Sequence, residues 1–253
     1  MDEIVRQRAQ FESDLWTAIR NDEITPHFQP LVHLRDGKPR GYEILARWTH
    51  PTRGPIPPDQ FIPVAEASGA IADMTMNLFH KACREAANLE GAPHLSLNVS
   101  PLMLHDDQLA QKLLRIMEEH SFAPQRLEIE LTEAALVTDI AAARAILMAL
   151  REHGVRIALD NFGTGHASLT QLRLLPFDKL KIDRSFVRRM TPRTPKPPPS
   201  YALPSPWRGR WASSLSLKAS RTRIRRACWP EWAATWRRAS TSAAPRRPSN
   251  SAQ

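Results

Sequence analysis

The chain has 253 residues, 35 of them Lys or Arg against 26 Asp or Glu, and a formal net charge of +9. Its apolar content suffices for a core, yet no run approaches the ~18 apolar residues of a membrane span, and residues 1–20 are too charged for a secretory signal. Only Cys83 and Cys228 carry thiols, far apart in sequence, which argues against a disulfide framework or a thiolate metal site and suits a reducing cytoplasm.

Residues 2–20 read as an amphipathic helix, with Ile4, Phe11, Leu15 and Ile19 near helical spacing. A short extended run, His27 to Val32, turns at Asp36-Gly37 into a strand from Tyr42 to Trp48 that carries Glu43 and Arg47. The proline-rich stretch Pro51 to Pro58 reads as a loop. A helix opened by Asp59 and Gln60 runs through Ala67 to a stop at Gly69, and a longer helix spans Ile71 to Leu89. His94 to Val99 is a strand bearing Asn98, Leu109 to Glu119 is helical, and Arg126 to Leu131 is a strand bearing Glu128 and Glu130. Asp139 caps a helix whose apolar face is Ile140, Ala143, Ile146, Leu147 and Leu150, stopped at Gly154. Strands at Arg156–Asp160 and Lys179–Ile182 flank a loop broken at Gly163 and Gly165. Strand and helix alternate six times, which predicts a parallel sheet with covering helices, and at this length a (β/α) barrel.

The strands carry polar residues in succession: Glu43, Asn98, Glu130, Asp160 with Asn161, then Lys181. In a parallel barrel such positions converge on the C-terminal face. Three carboxylates with one or two amide oxygens make a hard, oxygen-rich nest suited to Mg²⁺ or Mn²⁺ rather than zinc. A Lys and an Arg beside it suggest a phosphate, and divalent metals that activate water against a phosphodiester fit the set. Singly, each residue has a plainer reading: Glu43 as a carboxylate paired at a strand edge, Asn98 as a turn former, Glu130 and Glu133 as solvated surface or a helix start, Lys181 as an edge lysine. Their joint placement favours the site.

Seven segments then stand in order: "FQPLV" at Phe28–Val32, "YEILARWTHP" at Tyr42–Pro51, "FIPVAEASGAI" at Phe61–Ile71, "LSLNVSP" at Leu95–Pro101, "LEIELTE" at Leu127–Glu133, "LDNFGTG" at Leu159–Gly165 and "LKIDRSF" at Leu180–Phe186. Together they resemble the EAL domain family of cyclic di-GMP phosphodiesterases. The resemblance implies a (β/α)₈ TIM-like barrel of the EAL type that hydrolyses cyclic di-GMP to the linear dinucleotide with two Mg²⁺ or Mn²⁺ ions. It implies Glu43, Asn98, Glu130 and Asp160 as metal ligands and Gln29 and Arg47 as substrate contacts. Lys181 is implied to orient the attacking water, and Glu133 to tie down the loop after the fifth strand. Many members dimerise through the barrel; a specific nucleic-acid partner is not implied. The chain departs from the pattern at Ile44, which is no ligand, and at Asn161, where the family usually has a second aspartate touching the metals. An amide brings no negative charge, so the second metal site is expected to be weakened.

The resemblance ends near residue 190, which divides the chain into a truncated EAL domain of about six β/α units (1–190) and a tail (191–253). The tail holds 13 Lys and Arg against the single acid Glu231, with 10 of the 22 prolines and 5 of the 7 tryptophans, a composition expected to be disordered. It lacks the family's E-G-V-E motif, whose first glutamate is assigned as general base, and its Gln-Gly pair. Codons compatible with Leu217–Arg223, read two bases later, permit Glu-Gly-Ile-Glu, and those for Trp232–Pro245 permit a run containing Ala-Gln-Gly-Phe. The expectation is therefore a frameshift near Thr191–Pro199 and a chain inactive as translated. Alternatives are a non-catalytic cyclic di-GMP-binding protein, a pseudogene product, or a basic arm for nucleic acid or anionic membrane.

Overall fold

The computed structural model describes residues 2–33, 38–86, 91–136, 139–162, 174–182 and 215–217. The expected turn at Asp36-Gly37, the end of the helix at Leu89, the side chain of Ile4, the loop glycines Gly163 and Gly165, and residues 191–253 other than 215–217 lie outside them.

Helix α1 (Asp2–Arg20) buries Leu15, Ala18 and Ile19 and leads through three residues into β1 (Ile24–Val32). Strand β2 (Pro39–His50) pairs with β1 antiparallel, from Ile24 opposite Trp48 to Val32 opposite Pro39. Within the expected parallel sheet this seam is the antiparallel exception. A connection of a few residues between two strands permits only antiparallel return, whereas a parallel crossover needs a dozen or more. The expected Pro51–Pro58 loop also holds a short strand, β3 (Gly54–Ile56), antiparallel to the end of β2. Pro55 is compatible with it because β3 lies off the main path of the sheet.

Along the main path of the sheet from β2 onward each added strand is parallel. Helices α2 (Pro58–Ser68) and α3 (Ile71–Ala86) lead to β4 (His94–Asn98), and α4 (Leu109–Glu119) leads to β5 (Leu127–Thr132). Helix α5 (Ile140–Glu152) precedes β6 (Arg156–Phe162), followed by β7 (Lys179–Ile182) and β8 (Leu215–Leu217). The strand order is β1-β2-β4-β5-β6-β7-β8, with β3 beside β2. Six strands thus run parallel, and among the described residues no pairing joins β8 back to β1. This is a mixed α/β barrel ladder, incomplete in its closure. The segment expected to lack structure contributes β8 from Leu-Ser-Leu, an alternation of period two, paired with Leu180–Ile182.

Local chemistry explains the helix ends. Asp139 accepts from the backbone N–H groups of Ala141 and Ala142 and so satisfies two orphan donors of α5. Gly69 ends α2 with φ 78°, and Gly154 follows α5 with φ 92°, both in the left-handed region that glycine enters without strain. α3 buries Ile71, Met74, Leu78, Phe79, Ala82 and Ala86, a stripe at three- and four-residue spacing, against the sheet. At the α1 side, Trp48 is clasped by Phe11 and Phe61, with ring centroids 5.3 and 5.8 Å away, and its indole N–H donates to Glu23 at 3.3 Å. The β2–β4 seam is tight: a Cβ added to Gly41 would lie 2.5 Å from the His94 carbonyl oxygen.

Candidate active site

Alternation along each strand sends Glu43, Asn98, Glu130, Asp160 and Lys181 to the inner face of the ladder. Register fixes their neighbours. Gln29 stands opposite Glu43 across the β1–β2 seam, Asn98 beside Glu130, and Thr132 beside Asp160. β7 is held at its start by Asp178, which accepts from Arg151 at 2.9 Å and from the Ile157 backbone N–H at 3.0 Å. That clip sets where Lys179 and Lys181 fall along the barrel.

Lys181 is the hub. Its ammonium donates to Glu130 Oε2 and lies 3.5 Å from Glu43 Oε2, and all three side chains are buried. Asn98 Nδ2 donates to Glu43 Oε1 at 3.3 Å while its residue remains exposed, so the cluster opens toward solvent on the Asn98 side. Burial, with the neighbouring Glu43 and Asp160 carboxylates, pushes the Glu130 carboxyl up to about 7 despite the opposing Lys181 charge. Burial pulls Lys181 down, but Glu130, Glu43 and Asp160 outweigh it and hold the amine above its usual value.

The remaining site residues take different places. Asn161 follows Asp160 with φ 55°, at the irregularity in β6–β7 pairing, a left-handed conformation that Asn and Asp tolerate better than other side chains. Arg47 lies four residues beyond Glu43 on the same face but donates to its neighbour's carbonyl, Ala46 O, at 2.8 Å. Glu133 is buried at the start of the turn after β5. Gln29 is half-buried.

The donor set consists of carboxylate and amide oxygens, and Glu130 Oε1 is buried without a hydrogen-bond partner. A hard divalent cation suits such oxygens. Among the described residues no three His, Cys, Asp or Glu side chains are gathered about one point. The Lys181 ammonium stands among the carboxylates instead, so a cation entering here must displace it.

A second polar layer lies beneath, which the sequence reading left unassigned. Lys179 Nζ binds both carboxylate oxygens of Glu128, at 2.9 and 3.2 Å, and Ser96 Oγ donates to Glu128 Oε1 at 3.2 Å. The spacing Glu128-x-Glu130 against Lys179-x-Lys181 was its only trace in the sequence.

Comparison with known proteins identifies relatives of the chain and of its fold. A family model described as "EAL domain" covers residues 12–196. An uncharacterized signaling protein of Caulobacter vibrioides is 43% identical over 190 residues, covering 75% of this chain and 24% of the relative. Cyclic di-GMP phosphodiesterase NbdA of Pseudomonas aeruginosa is 40% identical over 185 residues, covering 72% of this chain and 24% of that protein. Among solved structures, the PaMucR phosphodiesterase in complex with c-di-GMP superposes with a TM-score of 0.73 at 30% identity, covering 90% of this chain and 92% of that one. This chain therefore spans about a quarter of the length of those two curated relatives. No described helix is long and apolar enough to cross a membrane. With the matched segment running through every strand from β1 to β7, the chain belongs to the EAL domain family.

Proposed function

We propose that this chain is a cyclic di-GMP phosphodiesterase of the EAL type by descent, which keeps the substrate and cation side of its site and lacks turnover as translated. The observation that carries the reading is the convergence of Glu43, Asn98, Glu130 and Lys181 into one hydrogen-bonded cluster, with Asp160 close enough to bias their ionisation. Glu43, Glu130 and Asp160 would hold Mg²⁺ or Mn²⁺, two ions in the family, with amide oxygens from Asn98 and Asn161. When bound, the metal supplies the acidity that makes water a nucleophile toward a phosphodiester. The residues of the chain bind and orient. Gln29, opposite Glu43 on β1, and Arg47, on the same strand as Glu43, would contact the substrate, for which Arg47 must leave the Ala46 carbonyl to meet a phosphate. The Lys181 ammonium, freed from the carboxylates, donates to and holds the attacking water. Glu133 anchors the turn after β5.

Binding without turnover is favoured by the sequence of residues 191–253, which offers no E-G-V-E glutamate to accept the proton from that water. The out-of-frame signature of those residues supports a frameshift near Thr191–Pro199 as the origin. Residues 1–190 act as the EAL domain and the rest as an appended tail, in a protein that works in the cytoplasm, alone or as a homodimer. The test is to give the purified chain Mn²⁺ and cyclic di-GMP, following binding by calorimetry and the linear dinucleotide by chromatography. Binding with no dinucleotide formed supports the reading. Steady turnover overturns the loss of activity, and no binding overturns the retained site.

A further inference from the structure

The two lysines of β7 cross over β6 to reach the two glutamates of β5, and they do so at a slant. By register, Glu130 lies level with Ala158, and Ala158 lies level with Lys179. Strands two places apart are about 10 Å apart, a span that a Lys and a Glu side chain close by reaching toward each other. Lys179 therefore has Glu130 straight across, over a residue small enough to let it pass. It binds Glu128 instead, two residues back along β5, bidentately and with Ser96 completing the carboxylate. The slant leaves Glu130 to Lys181.

This choice decides the charge of the upper cluster. Glu43, Glu130 and Asp160 against Lys181 leave a formal balance of two negative charges. Were Lys179 to swing up to Glu130, that balance would fall to one, and an oxygen that a divalent cation needs would be covered. Glu128 is buried, so its charge persists only with a paired cation, and Lys179 is the partner that satisfies it.

We infer that Glu128 is a positioning residue that draws Lys179 away from Glu130 and thereby preserves the divalent-cation affinity of the upper carboxylates. It touches neither cation nor substrate and acts through the lysine. The inference rests on the reading of that cluster as a cation site.

The test is Mn²⁺ binding to the full chain without nucleotide, measured by calorimetry and by the electron spin resonance signal of free Mn²⁺. Glu128→Gln keeps an acceptor for Ser96 but releases Lys179, and it should weaken Mn²⁺ binding about ten-fold, as expected for one ammonium moved beside the site. Glu128→Asp, which keeps the charge, should bind nearly as the parent does. The double variant Glu128→Gln with Lys179→Met should recover the parent affinity, since no lysine remains to move. A purely structural pair would lower the melting temperature in Glu128→Gln while leaving the affinity of the folded fraction unchanged, and that result overturns the inference alone. If Glu128→Gln does not fold, the double variant and Lys179→Met decide: affinity below the parent's in either overturns it. Failure of the parent chain to bind Mn²⁺ overturns the cation reading as well.

Discussion

Lys181 and Glu43, 138 residues apart in sequence, meet inside the barrel with Nζ 3.5 Å from Oε2, and the same ammonium also binds Glu130. One buried cation thus holds two carboxylates that would otherwise repel each other in a low-dielectric interior. Lys181→Met leaves those charges uncompensated and should lower the unfolding free energy by about 3 kcal/mol without divalent ions. Added Mn²⁺ should restore much of the loss by binding the folded state. Urea unfolding of both proteins with and without Mn²⁺ checks this, and equal stability of the ion-free proteins would count against a structural role for the ammonium.

Glu130 gives a pH dependence with a definite sign. Its carboxyl is raised by burial from 4.5 to about 7, so the fold favours the protonated form. Its contribution is complete below about pH 4.5 and is lost as the pH rises through about 7. Ion-free wild-type protein should therefore lose stability relative to Glu130→Gln between pH 5 and 8, read as diverging urea midpoints. A constant difference across that range would mean that Glu130 ionises normally.

Asn161 adopts φ 55°, which an aspartate also accepts, so Asn161→Asp should fold unchanged while adding a carboxylate beside Asp160. Calorimetric titration is expected to show one tight Mn²⁺ per wild-type chain and a second in the variant. Two tight ions in the wild-type chain would show that the amide suffices.

Cys83 is buried on α3, and burial pushes its thiol up to about 12. In a Cys228→Ser background the native protein should not react with a disulfide reagent at pH 8, and one thiol should appear on denaturation. Rapid labelling of the native protein would place α3 in frequent opening.

Whatever depends on neighbours in sequence was legible before the structure. Asp139 as a cap, Gly69 and Gly154 as stops, and the apolar stripe of α5 are local chemistry. So was the list of strand-borne polar residues, because the ends of parallel strands converge on one face of a barrel. What could not be read was relative placement. The short strand β3 sat behind a proline that argued for a loop. The slanted pairing of Glu128 with Lys179 depends on strand stagger, which no single strand encodes, and the turning of Arg47 onto Ala46 O depends on a rotamer.

The tight approach at Gly41 supplies what every charge substitution above requires, a reference for lost architecture. The backbone of β4 leaves room there for a hydrogen and nothing larger, and the position carries no side chain that could touch an ion, a proton or a nucleotide. A methyl group at this point would pry β2 from β4 without altering one ionisable group. Glycine 41 to alanine is therefore the blank against which an electrostatic effect is told from simple collapse.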